Sequence, residues 1–134
     1  MIPFGRANTL VTGEKLTVVC WGAMVERCEI AANQLQQSIE VIDLRTLQPW
    51  DQATVLASVK RTGRCLIVHE DKLTAGFGAE IAAVLAKEAF FDLDAPIERL
   101  AMPDIPVPHN LQLMQAAIPS RERIAAAMQA LIEI

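Results

Sequence analysis

Short apolar runs alternate along the chain with segments whose apolar residues recur at helical spacing. The strongest runs are Leu16 to Trp21, Ile39 to Leu44, Cys65 to Glu70 and Ile97 to Met102. Short runs of this kind, rich in Val and Ile, are typical of strands that are covered on both faces of a sheet. A weaker run, ANTLVT, lies directly before Gly13 and predicts one further strand.

Four segments have the periodicity of amphipathic helices. They are residues 23–37, the segment from Pro49 to Gly63, residues 77–90 and residues 120–134. The alternation of strands and helices implies a mostly parallel sheet with helices on both faces. The segment PDIPVPHN is expected to be an extended surface loop, because proline cannot donate to a sheet ladder. No repeat or linker interrupts residues 1–134, which are expected to form one domain.

Composition narrows the classes of function. The chain has 134 residues, 52% of them hydrophobic, and such a chain can build a substantial core. The net charge of -4 and the lack of a basic cluster argue against nucleic-acid binding. No apolar stretch reaches the roughly 18 residues of a membrane span. The N-terminus lacks the regions of a signal peptide, so a cytoplasmic protein is expected.

The cysteines are Cys20, Cys28 and Cys65. An odd number without close pairing argues against a disulfide framework, and no C-x-x-C spacing suits a metal site. Two of the three lie inside apolar runs. All three are therefore expected to be buried and to act as small hydrophobic side chains.

The stretch LIVHEDKLTAGFGAE holds the candidate chemistry. Gly76 and Gly78 follow a strand and precede a helix, as in a dinucleotide-binding turn, but the third glycine of that fingerprint is replaced by Ile81. The nearby carboxylates of Glu70 and Asp71 would also repel a diphosphate. Nucleotide binding is therefore the weaker interpretation.

Metal binding and acid–base chemistry are two further candidate roles of the same stretch. His69, Glu70 and Asp71 are consecutive, and neighbours in a strand point to opposite faces, so they cannot converge on one ion. His69 falls at the carboxyl end of a strand, where ligands of open α/β sheets bind, and with Glu70 it could move a proton. The alternative, which we favour, is that both side chains form hydrogen bonds with loop backbone or with a partner subunit.

Several segments together resemble one family. They are PFGRA, VCWGAMVERC, VIDLRTLQPWD, RTGRCLIVHED, LTAGFGAEIAA, FFDLDAPIERL and PDIPVPHN. They are similar to the C-terminal domain of the beta subunit of 2-oxoacid dehydrogenase E1 components. This thiamine-diphosphate-dependent group includes branched-chain 2-oxoacid, pyruvate and acetoin dehydrogenases. The resemblance covers essentially the whole chain.

The resemblance implies a transketolase C-terminal-domain fold, a three-layer α/β/α sandwich. Its mostly parallel sheet has five strands, of which the first is antiparallel to the others. The resemblance also implies that thiamine diphosphate and Mg²⁺ bind to domains absent from this chain, since the G-D-G…N-N motif does not occur here. No catalytic, cofactor-binding or metal-binding residue is therefore expected, and the chain is expected to be excised from a longer E1 beta or alpha–beta fusion chain.

An assembly role is what the resemblance implies for the domain itself. The expected partners are the E1 alpha-type and N-terminal beta-type domains, a second beta copy and the subunit-binding domain of the E2 acyltransferase; a homodimer of the isolated chain is also expected. The candidate interface residues lie in one stretch: His69, Glu70, Thr74, Gly76, Phe77 and Gly78. Glu133 and Ile134 are candidates for E2 docking, and His109 for a place near the substrate channel or on the surface.

Two alternatives stay open. The domain could belong to another thiamine enzyme, such as a transketolase or a deoxyxylulose-phosphate synthase, although the acidic HED segment does not suit phosphate recognition. It could also be a stand-alone nucleotide-binding regulatory module, against which the missing third glycine argues. As the substrate of the complete enzyme, we expect a branched-chain 2-oxoacid rather than pyruvate or acetoin.

Overall fold

The computed structural model describes residues 1–134 as one sheet with helices on both faces. The strands are Asn8–Val11 (β1), Leu16–Cys20 (β2), Ile39–Asp43 (β3), Cys65–Lys72 (β4) and Glu98–Met102 (β5). The helices are Met24–Leu35 (α1), Gln52–Thr62 (α2), Phe77–Glu88 (α3), Leu111–Ala117 (α4) and Arg121–Ile132 (α5). A short 3-10 turn, Phe90–Asp92, follows α3.

The strand order is β1-β3-β2-β4-β5. β1 pairs antiparallel with β3, and every other neighbouring pair is parallel. The predicted five-stranded mixed sheet with an antiparallel first strand is therefore confirmed. β2 lies at the centre, where Val18 is paired with Val41 on one side and with Leu66 on the other.

The sheet separates two apolar clusters. Leu16, Val18 and Cys20 of β2 pack with α1 and α5 in one cluster. Val19 of the same strand packs with α2 and α3 in the other. All five residues of β2 are buried and all but Thr17 are apolar, as expected for the middle layer of a sandwich.

Helix ends follow the expected local chemistry at three positions. Asp51 caps α2, and Ser120 caps α5 by accepting a hydrogen bond from the N–H of Arg123 at 3.2 Å. Gly63 ends α2 with a positive φ of 72°, a conformation that glycine adopts without steric cost.

Two elements differ from the sequence prediction. β4 continues to Lys72, two residues beyond the predicted end, because its exposed last residues still pair with β5. α4 follows the proline loop in a segment for which no helix was predicted. Its N-cap is Asn110, whose side chain accepts hydrogen bonds from the N–H groups of Gln112 and Leu113.

All three cysteines are free and fully buried, as predicted. Burial raises the pKa of the Cys65 thiol to about 12. A hydrogen bond with Cys28, together with burial, raises the pKa of Cys20 well above its usual range. The thiols of Cys20 and Cys65 are therefore protonated packing groups at neutral pH. None of the helices has the length and apolar character needed to span a bilayer.

Candidate functional site

His69 lies in β4 at the carboxyl end of the sheet and is completely buried. Its ring stacks on Trp21, the residue after β2, with centroids 5.1 Å apart and planes inclined by 13°. Neither Nδ1 nor Nε2 has a hydrogen-bond partner. An unpaired polar group of this kind is uncommon in a folded interior and marks the site as unusual.

Two glycines let the first turn of α3 close over this ring. A Cβ on Gly76 would lie 2.8 Å from Cε1 of His69 and would also collide with the carbonyl oxygen of Lys72. A Cβ on Gly78 would lie 2.6 Å from Nε2. Both glycines are candidate interface residues, but the close approach that they permit in this structure is to His69 and Lys72 of the same chain.

The environment of His69 disfavours its charged form. Burial is the main cause of a lowered pKa, and the positive charge of Arg99 on β5 acts in the same direction. The carboxylate of Asp71 opposes both effects but does not outweigh them. His69 is therefore a neutral imidazole at pH 7.

The sequence predicts that the side chain of His69 forms a hydrogen bond with loop backbone or across a subunit boundary. In the structure the ring has no exposed surface, because α3 and Trp21 cover it. Neither nitrogen forms a hydrogen bond of normal geometry, although an interaction with the backbone of Asp71 favours the protonated ring. Glu70, by contrast, is exposed, and its carboxylate lies beside Gly22, where it is free to meet a partner.

Thr74 joins two loops at this end of the sheet. Its backbone N–H donates to Asp104 at 3.0 Å, and its hydroxyl donates to the second carboxylate oxygen of Asp104. These two hydrogen bonds lower the pKa of Asp104. Arg99 also donates to the carbonyl oxygen of Leu73 at 2.8 Å. The proline loop is thus attached to the turn between β4 and α3, a contact that local sequence patterns do not reveal.

Phe77 is half-buried between the two glycines. Its ring meets Trp21 edge to face, with centroids 6.2 Å apart and planes at 82°. Trp21 therefore holds both His69 and Phe77 in one aromatic group. Phe77 is a candidate interface residue, and part of its surface is exposed.

The remaining candidates lie elsewhere. His109 is exposed in the proline loop. Glu133 accepts a hydrogen bond from Gln129 at 2.7 Å, and Ile134 is 65% exposed. Ile134 borders a groove of about 220 Å³ between β5 and α5, which is lined mainly by apolar residues such as Leu100 and Leu131. The terminal pair therefore does not belong to the His69 site.

Four large apolar residues that lie close together in sequence are exposed, which sequence reasoning missed. Ile105 and Val107 lie in the proline loop and are 41% and 56% exposed, while Leu111 and Leu113 in α4 are 68% and 61% exposed. We call these four residues the loop–α4 patch. Several large apolar side chains exposed close together in sequence are typical of a surface that another protein segment covers.

The family model described as "Transketolase, C-terminal domain" matches residues 5–124. The chain therefore belongs to this family. Within it, the predicted resemblance to the C-terminal domain of E1 beta subunits is confirmed by its relatives. Pyruvate dehydrogenase E1 component subunit beta of Rickettsia bellii is 43% identical over 131 residues, which are 96% of this chain and 40% of the relative.

A second relative is named for a different substrate. The 2-oxoisovalerate dehydrogenase subunit beta of Pseudomonas aeruginosa is 41% identical over 133 residues, which are 99% of this chain and 37% of the relative. The chain thus spans well under half the length of these relatives. Among solved structures, a split-gene transketolase in an inactive beta4 tetramer shares the fold, with a TM-score of 0.80 and 24% identity over 96% of this chain and 42% of that one.

The groove at the start of α3 does not suit the diphosphate of thiamine diphosphate, which the resemblance implies, together with Mg²⁺, as a cofactor of the complete enzyme. No three His, Cys, Asp or Glu side chains lie close enough together to hold a metal ion. The groove at the start of α3 is bordered by the carboxylates of Asp71 and Glu80, which would repel a diphosphate.

Proposed function

We propose that this chain is an assembly domain of the E1 component of a 2-oxoacid dehydrogenase. The complete enzyme would catalyse the thiamine-diphosphate-dependent oxidative decarboxylation of a 2-oxoacid in the cytoplasm. The family match and the E1 beta relatives support this proposal. The cofactor and Mg²⁺ would bind to parts of the enzyme that this chain does not contain, so the chain alone would be inactive.

The loop–α4 patch is the observation that carries the assembly role. Its four residues expose apolar surface at the carboxyl end of the sheet, on a loop that Thr74 and Asp104 attach to the turn before α3. The relatives contain more than twice the length of this chain. We propose that E1 alpha-type and N-terminal beta-type domains, or a second beta copy, cover this patch, and that Glu70, Thr74, Phe77 and the two neighbouring glycines border the same interface.

A chimeric subunit tests the proposal. This chain would replace the matching segment of the Pseudomonas aeruginosa 2-oxoisovalerate dehydrogenase subunit beta. The chimera is expected to assemble with the E1 alpha subunit and to decarboxylate 2-oxoisovalerate, as measured by gel filtration and product formation. Replacing both Leu111 and Leu113 with Asp should weaken assembly at least about tenfold, because charges would have to be buried without partners.

The control variant for this experiment is Phe91→Asp. Phe91 is 97% exposed and follows the opposite end of α3, away from the loop–α4 patch. Both variants replace exposed side chains and should fold normally. Normal assembly of the Leu111/Leu113 variant, or equal weakening by Phe91→Asp, would contradict the proposed interface.

The substrate of the complete enzyme is proposed to be a branched-chain 2-oxoacid. One relative is named for pyruvate and another for 2-oxoisovalerate at nearly equal identity, so the similarity of this domain does not separate the two substrates. The chimera should keep the preference of its host, because substrate selection lies in the parts that this chain lacks. A preference that changes with this domain would show that it contacts the substrate.

The E2 acyltransferase is proposed to dock at the C-terminal end of the chain. Ile134 adds an apolar side chain beside the groove between β5 and α5, and Glu133 adds a negative charge. A chimera that ends at Ile132 should bind the E2 subunit-binding domain more weakly, and the difference should shrink at high salt. Unchanged binding in calorimetry would reject this docking site.

A further inference from the structure

An assembly role does not explain why the ring of His69 is fully buried without a hydrogen bond of normal geometry. In its neutral form one nitrogen donates and one accepts, whereas the protonated ring has two N–H donors and a positive charge. Neither nitrogen forms a hydrogen bond of normal geometry, the ring has no contact with solvent, and the interaction with the backbone of Asp71 is smaller than the effect of burial. A protonated ring in this position would therefore carry a large desolvation cost.

Trp21 and the first turn of α3 together cover the ring of His69. β4 holds the backbone of His69, and Trp21 covers one face of the ring at 5.1 Å. Gly76 and Gly78 in the first turn of α3 cover the nitrogen-bearing edge, since Cβ positions there would fall within 2.8 Å of the ring. Movement of the first turn of α3 away from the ring would therefore open these nitrogens to water.

The first turn of α3 has no side-chain cap. Its N-cap is Gly76, which has no side chain to accept a hydrogen bond from the free N–H groups of α3. The backbone bond from Ala79 to Gly76, at 3.0 Å, is the contact that closes the turn. Opening this turn would expose Trp21 and Phe77 without disturbing the pairing of the central strands.

The charged groups around the ring of His69 act on its protonation in opposite directions. Asp71 on the strand of His69 favours the protonated ring, and Arg99 on β5 disfavours it. β2 contributes Cys20 as its only titratable side chain, and α3 contributes Glu80, which is exposed. No carboxylate forms a hydrogen bond with the ring that would hold a proton in the closed state.

We propose that His69 makes the turn between β4 and α3 an acid-sensitive hinge, in which protonation of the buried ring opens the first turn of α3. The direction of the pH effect follows from the thermodynamic linkage between protonation of His69 and opening of the turn. The pKa of His69 in the closed state lies below the value of about 6.5 for an unfolded or open chain, so the open turn binds the proton more tightly. Closure is fully stable above that value and is progressively lost as the pH falls below it.

Nuclear magnetic resonance on the isolated chain tests the hinge without depending on the proposed function. The chain has two histidines, and His109→Gln assigns the remaining signals to His69. Between pH 7 and pH 5 the protection factors of the Ala79 and Ile81 amides are expected to fall by up to about tenfold per pH unit, the limit for uptake of one proton. The fall should follow the titration of the His69 signals, while amides of β2 stay protected.

The control is His69→Phe, which keeps an aromatic ring against Trp21 but cannot bind a proton. In this variant the same amides should keep constant protection over the same pH range. Two results would overturn the hinge: protonation of wild-type His69 with the turn still protected, or equal opening in His69→Phe. The first of these results requires only wild-type His69 and the signal assignment from His109→Gln. It therefore tests the hinge even if His69→Phe does not fold.

Discussion

Replacing Gly13 with alanine is expected to lower the free energy of unfolding by about 3 kcal/mol or more, because the new methyl group meets rigid backbone. A Cβ at this position would lie 2.5 Å from the backbone nitrogen of Ile39 and 2.6 Å from that of Glu40, and closer still to the carbonyl carbon of Ile39. These atoms belong to β3, which pairs with β2 and cannot shift without losing sheet hydrogen bonds.

A network around Gly13 adds to this cost. The N–H of Gly13 donates to the buried carboxylate of Glu40, and its carbonyl oxygen accepts a hydrogen bond from Arg61. Glu40 and Arg61 also form an ion pair at 2.8 Å. Moving the chain to make room for a methyl group would separate these partners and leave Glu40 buried with fewer of them.

Gly22→Ala is the matched control for this experiment. Gly22 has a positive φ of 62°, so alanine costs about 1–2 kcal/mol in backbone strain. The space around it is open, with the nearest atom 3.6 Å from the Cβ position. Urea denaturation should therefore show a clearly larger loss for Gly13→Ala than for Gly22→Ala. Equal losses would mean that β3 yields to the methyl group at little cost.

Asp51→Ala is expected to cost about 2–4 kcal/mol, since one carboxylate serves three donors. Asp51 accepts hydrogen bonds from the N–H and the hydroxyl of Thr54, at 3.2 Å and 2.8 Å, and so caps α2. It also accepts one from the N–H of Ala7 at 3.0 Å. Removing the carboxylate would uncap the helix and release the segment before β1.

The effect of Asp51 should depend on pH in a defined direction. Burial by itself raises the pKa of Asp51, but the hydrogen bonds from Ala7 and Thr54 outweigh it, and the net pKa is lowered. A carboxyl group with a lowered folded pKa stabilises the protein above its unfolded pKa of about 3.9 and loses that effect as the pH falls through the folded value.

Urea denaturation at several pH values tests this direction. The stability difference between the wild type and Asp51→Ala should be constant near neutrality and should shrink below about pH 4. Asp51→Asn keeps an acceptor at the cap but has no charge, so its cost should be smaller and less dependent on pH. A difference that grows on acidification would show that the carboxylate is not stabilised in the folded chain.

The sheet was predicted correctly because strands that are buried on both faces appear in the sequence as short apolar runs. All five residues of β2 are buried and four of them are apolar, so a nearly continuous apolar run marks the strand. The end of β4 was less visible, because Glu70, Asp71 and Lys72 are exposed and resemble a loop in sequence although the strand continues. Pairing with β5 is a long-range contact that local patterns do not contain.

α4 was missed for a related physical reason. Leu111 and Leu113 are its most prominent apolar residues, and both are exposed rather than directed to the core. Only Ala117 of this helix is buried, so no apolar stripe with helical spacing exists. Asn110 followed by a proline-free segment was the available signal, since Asn is a favourable N-cap.

The candidate site was predicted in position but not in geometry. The sequence placed His69 at the carboxyl end of a strand beside two glycines, which is where the structure has it. It could not show that Gly76 and Gly78 pack on the ring itself, because that contact depends on how α3 crosses β4. The partnerless nitrogens of His69 follow from the same packing and have no signature in the sequence.

The three buried cysteines can report which helical layer separates first from the sheet. Cys20 and Cys28 belong to the apolar cluster under α1 and α5, whereas Cys65 belongs to the cluster under α2 and α3. A thiol reagent can modify each cysteine only when its own layer opens. Mass spectrometry after brief alkylation would therefore order the opening of the two layers, and one cysteine introduced on the surface could be labelled alone in the folded chain.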